Sequence, residues 1–67
     1  MAVVKVIEVM ATSNKSFEDA INNAVTEASK TVKNIKSVYV KDMNGKVEGN
    51  KISSYGVTTK ISFHVGE

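Results

Sequence analysis

The sequence predicts an α+β fold of order β-α-β-β, a three-stranded antiparallel sheet wrapped around one helix, and three observations carry the prediction. Phe17, Ala20, Ile21, Ala24, Val25, Ala28 and Val32 recur three and four residues apart, which places them on one face of a helix. Val3 to Met10 is dense in Val and Ile, the residues that favour strands. Tyr55, Val57, Thr59, Ile61, Phe63 and Val65 alternate with Ser54, Gly56, Thr58, Lys60, Ser62 and His64, the two-residue period of a strand with one apolar face.

In the first strand, parity puts Val3, Lys5, Ile7 and Val9 on one face and Val4, Val6, Glu8 and Met10 on the other, so each face holds three apolar residues and one charge. Neither face is suited to water alone. One should meet the helix and the other a second subunit. Ala11-Thr12-Ser13 then leads into the helical stretch, which runs from Ser13 to Ile35. Ser13 or Ser16 can cap its start, and Ser16 followed by Asp19 has capping-box spacing, with Asp as the shorter variant of the usual Glu. Glu18 and Asp19 in the first turn and lysines near the end suit the helix dipole.

After Asn34, Ile35 begins the return, and Ser37 to Met43 alternates as a second strand. Val38 and Val40 take one face; Ser37, Tyr39, Lys41 and Met43 take the other. Asn44-Gly45 is a strong hairpin signal, yet a turn there would pair arms of very unequal length. Glu48-Gly49-Asn50 turns the chain where the arms match, leaving Gly45 as a bulge or twist point within a long second strand. The apolar face of the third strand packs on the helix, and the first and third strands are neighbours.

The 67 residues contain no Cys, Pro or Trp and are 42% hydrophobic, which describes one small soluble domain over residues 1–67. So short a chain hides only about 60% of the surface that its unfolded form exposes, and such scaffolds lean on disulfides, a metal or oligomerisation. Without Cys, and with His64 as the single histidine, self-association is the support that remains. The basic balance comes from lysines spread over every segment with no Arg, unlike the concentrated patch of a nucleic-acid binder. The apolar run at Ala2–Met10 is too short to span a membrane and carries Lys5 and Glu8, so a cytoplasmic protein is expected. No nucleophile, base and orienting group assemble from the sequence, which speaks against an enzyme.

Four stretches together carry a family likeness: Val4-Lys5-Val6-Ile7-Glu8-Val9, the Ala11-Thr12-Ser13 step, Ser16-Phe17-Glu18-Asp19-Ala20-Ile21, and Ser54-Tyr55-Gly56-Val57 leading to Ile61-Ser62-Phe63. In order, spacing and total length the chain resembles the dodecins, although Gly is usual in that family where Ala11 stands. The resemblance implies a hollow homododecamer of β-α-β-β subunits that binds a small ligand, FMN or riboflavin in the flavin-binding members. Those members stack the flavin on a Trp early in the second strand and hydrogen-bond its edge with a Gln just after the Tyr of the third. The aligned positions here are Ser37 and Gly56. Stacking is worth roughly 0.5–1.5 kcal/mol beyond area burial and an edge hydrogen bond about as much, so losing both should weaken flavin binding substantially. The resemblance therefore also admits a structural shell that has lost flavin and takes a cation such as calcium, or coenzyme A, as other family members do.

Five residues form the candidate ligand site by alignment with the family's flavin pocket: Ser37, Tyr39, Asp42, Tyr55 and Gly56. Tyr39 and Tyr55 can present a π-face in place of the Trp, or serve core and interface packing. Asp42 stands where dodecins often carry an acidic residue toward the cavity, and with Glu48 it could hold a hard cation across subunits or act as an ordinary surface carboxylate. Gly56 would admit either a ligand or a neighbouring backbone at close range. His64, on the polar parity of the last strand, reads as a solvated or interface histidine.

Overall fold

The computed structural model describes residues 3–66. Its elements are β1 (Val3–Ser13), α1 (Phe17–Ala28), β2 (Ile35–Glu48) and β3 (Lys51–Val65), in the predicted order. The strands form one antiparallel sheet with β3 at the centre, in the order β1-β3-β2. β1 and β3 are therefore neighbours, as expected. β1 continues through Ala11-Thr12-Ser13, because all three pair with β3, at Val57, Gly56 and Tyr55 respectively.

The helix starts where both serines act. Ser16 is the N-cap and accepts the Asp19 backbone N–H at 2.9 Å. Ser13 accepts the Lys15 N–H at 2.9 Å and donates to Asp19 Oδ2 at 2.6 Å. The short Asp carboxylate thus binds a neighbouring hydroxyl, where the longer Glu of a capping box would reach back to the cap N–H. Helical geometry ends at Ala28, one turn short of Val32, and the Thr31 and Val32 N–H groups close on the Ala28 carbonyl. Lys30 and Lys33 consequently lie beyond the last turn, which holds no basic residue, and Lys30 instead pairs with Glu27 at 2.8 Å. Asn34, at φ 63, reverses the chain into β2.

Antiparallel partners share a face, so the register assigns each paired side chain. Ile7, Val9 and Ala11 of β1 lie opposite Ile61, Thr59 and Val57 of β3 and face the helix. Ala20, Ala24 and Ala28 of the helix and Val57, Thr59 and Ile61 of β3 are buried there. Thr59 enters this core without an orphaned hydroxyl, since Oγ1 donates to the Val9 carbonyl at 2.8 Å. Val4, Val6 and Met10 are left on the far face, 54%, 57% and 77% exposed.

The hairpin turns at Gly49-Asn50, both with positive φ, which confirms the later of the two candidate turns. Gly45 is neither a bulge nor a break: it pairs regularly with Tyr55, and a Cβ there would sit 3.3 Å from Ile52 Cγ2. A side chain there would press on Ile52. The irregularities fall at Ile35/Ser37, Val40/Asp42 and Lys46/Val47. The middle one corrects the simple alternation, because the extra residue Lys41 moves Met43 to the helix side, opposite Val57, and Asp42 to the far side, opposite Thr58. The helix lies over β1 and β3 and barely reaches β2. The hairpin arm therefore extends past it, and Met43, Val47 and Ile52 are 56%, 64% and 48% exposed in a subunit measuring 52 × 19 × 13 Å.

Candidate functional site

The far face of the sheet reads as rows of three side chains, one per strand. Thr12, Gly56 and Asn44 make one row, and Met10, Thr58 and Asp42 the next. Glu8, Lys60 and Tyr39 follow, then Val6, Ser62 and Ser37. Because Gly56 has no side chain, the first row is hollow at its centre. A depression of about 240 Å³ opens there, lined by Met10, Thr12, Asn44, Gly56 and Thr58, with Ala11 and Val57 completing it. No ionisable side chain lines it.

The bulge at Lys41 is what builds this wall. Without it, unbroken alternation would send Asn44 toward the helix; with it, Asn44 stands on the far face opposite Gly56. A Cβ on Gly56 would lie 2.8 Å from Asn44 Oδ1 and 3.6 Å from its Cγ, so the carboxamide is folded across the glycine. On the β1 side the rim is anchored from behind, where Asn23 Nδ2 of the helix donates to the Thr12 carbonyl at 3.1 Å.

The five residues singled out by alignment are divided by the fold. Gly56 is at the centre of the depression, and Asp42 borders it one row along, opposite Thr58. Tyr39 is on the same face and 67% exposed, opposite Lys60. Ser37 lies farther still, its hydroxyl 2.6 Å from that of Ser62. Gly56 and Ser62 are six residues apart along β3, about 20 Å at 3.3 Å per residue, so one small ligand cannot touch Ser37 and Gly56 of the same chain. Tyr55 takes the helix side, where its ring meets Phe17 edge-on at 4.9 Å and 79°. Met10, Thr12 and Asn44 escaped the sequence reading. Parity alone could have placed Met10 and Thr12 beside Gly56, but Asn44 depends on the bulge.

One exposed ion pair joins the two edge strands. Lys41 Nζ reaches across the sheet to Glu8 Oε2 at 3.1 Å, with both side chains about half exposed. His64 lies opposite Val4, half-buried, and its backbone N–H donates to the Asn34 carbonyl at 3.1 Å. Among the described residues no group of three or more His, Asp or Glu converges to hold a metal ion. Likewise no helix is long and apolar enough to cross a membrane.

These features define the class first: a small β-α-β-β protein whose helix covers one face of the sheet and leaves the other open around a hollow row. The dodecin family model matches residues 3–66, and the chain belongs to the dodecin family. Among solved structures it is similar to dodecin from Streptomyces davaonensis, at 27% identity and a TM-score of 0.91, covering 98% of this chain and 97% of that one. A variant of Thermus thermophilus dodecin matches at 28% identity and 0.93, covering 100% of both chains. Calcium dodecin from Mycobacterium tuberculosis, described as calcium chelating, matches at 30% identity and 0.81, covering 96% of this chain and 91% of that one. Among curated proteins none matches.

Proposed function

We propose that this chain is a non-enzymatic binding or storage protein that sequesters a small ligand, with riboflavin or FMN as the first candidates, in a homo-oligomer of the dodecin kind. The observation that carries the reading is the uncharged hollow over Gly56, set in a sheet face where Val4, Val6 and Met10 are exposed. At about 240 Å³ the hollow falls below the roughly 300–1,000 Å³ of pockets that enclose a ligand, so a second copy of the chain is needed to complete it. The same self-association would give the exposed apolar arm at Met43, Val47 and Ile52 a partner.

The test is a titration of purified protein into riboflavin and FMN, followed by flavin fluorescence. Quenching at micromolar concentrations supports the reading. Unchanged fluorescence removes flavin from it. The alternative is a structural shell without flavin that takes calcium or coenzyme A, and the calcium dodecin of M. tuberculosis favours its calcium form. Since no three carboxylates or histidines converge among the described residues, a calcium site would have to be shared between subunits. A rise in thermal midpoint with calcium, together with unquenched flavin, would favour that alternative.

A further inference from the structure

We propose that the Asn44 carboxamide, which covers Gly56, is the specificity group of the hollow, reading the donor–acceptor edge of an uncharged planar heterocycle held beside Met10, Thr12 and Thr58. This rests on the ligand-binding reading above and adds to it a residue and a chemistry.

Three observations converge on it. The carboxamide occupies the space above the glycine, since a Cβ there would meet Asn44 Oδ1 at 2.8 Å. A side chain at that position would have to displace the Asn44 carboxamide, so the placement of the polar wall depends on the glycine. Asn44 is also exposed, which leaves its carbonyl acceptor and amino donors open to a ligand. Finally, the other lining side chains are the Met10 thioether and the Thr12 and Thr58 hydroxyls. A thioether favours contact with an aromatic ring, and a lining without charge gives an ionic group no partner. A side-by-side acceptor and donor in one plane matches an amide or imide edge of a ring, the complement that a carboxamide pairs with best.

Riboflavin and 3-methylriboflavin distinguish the possibilities, because methylation blocks the imide N–H and leaves the ring system in place. The unmodified protein is expected to bind riboflavin about tenfold more tightly, the ratio that one well-made hydrogen bond supports. Asn44→Leu should reduce riboflavin to the weaker affinity and abolish the preference. Gly56→Ala should do the same by displacing the carboxamide. The fold tolerates that change, because the atom to be moved is the free end of an exposed side chain, and circular dichroism should show an unchanged thermal midpoint. The double variant should bind no worse than Asn44→Leu alone. A preference retained by Asn44→Leu, or equal binding of both flavins by the unmodified protein, overturns the assignment and leaves the binding reading standing. Quenching of neither flavin by the unmodified protein overturns the assignment and removes flavin from the binding reading.

Discussion

Replacing Val6 with lysine separates a free surface from an interface. Val6 faces away from the helix, opposite Ser62, and is 57% exposed in the single subunit. If that face met only water, the lysine head would extend into solvent, and the change would stay within about 0.5 kcal/mol, as ordinary surface substitutions do. If another copy covers it, the arithmetic differs. Fully burying a Val is worth roughly 1.5–3 kcal/mol, and the subunit alone already hides somewhat under half of Val6, so the interface supplies about 1 kcal/mol from this side chain. Val4 and Met10, at 54% and 77% exposure, add comparable amounts in every subunit. Lysine forfeits the Val6 share and adds the desolvation of an ammonium group, several kcal/mol after relaxation. A subunit of 7.2 kDa has little stability to spare, so dissociation and unfolding should coincide. Size-exclusion chromatography with light scattering should return a dodecamer for the unmodified protein and a smaller, largely unfolded species for Val6→Lys at the same concentration. Thr26→Lys, on the exposed side of the helix, serves as the control and should change neither mass nor melting. A stable folded monomer for the unmodified protein, or an unchanged mass and midpoint for Val6→Lys, would refute the reasoning.

Other substitutions probe the subunit itself. Ile61→Ala empties the largest fully buried aliphatic position and should cost about 2–5 kcal/mol in urea unfolding, the range for deleting a core aliphatic side chain. Ser13→Ala removes an acceptor for the Lys15 N–H and a donor to Asp19, and should lower stability by about 1–2 kcal/mol in the same assay. Gly49→Ala forces a Cβ onto a backbone at φ +57 where no atom crowds it, so its effect should be pure strain of about 1–2 kcal/mol, visible as a lower thermal midpoint.

Much of the architecture is legible in local patterns because each such pattern reports one physical period. The helical stripe from Phe17 to Ala28 and the alternation of β3 from Tyr55 to Val65 both persist unbroken, and the faces read from them hold: Ala20, Ala24, Val57, Thr59 and Ile61 are buried as expected. The choice between two turns was decidable as well, since strand arms must match in length and only Gly49-Asn50 makes them match. Family likeness was legible because residues of type and spacing spread over the whole chain agree together, and the match over residues 3–66 bears it out.

The candidate site was less legible. Gly56 was marked by its unusual place inside a strand, but its partners came from strands distant in sequence. Ser37 and Gly56, joined by alignment, lie about 20 Å apart in one chain, and Tyr55 turns toward Phe17 on the opposite side. Sequence by itself determined the element order, the helix-facing side of β3 and the apolar excess of β1. Tertiary structure alone decided which face of β1 the helix covers, and so that Val4, Val6 and Met10 remain open. It also decided, through the one residue added at Lys41, that Asp42 and Asn44 share the face of Gly56. Side-chain parity is a local rule that holds only while strands pair one to one, and whether they do is settled by the partner strand, which the sequence of β2 does not contain.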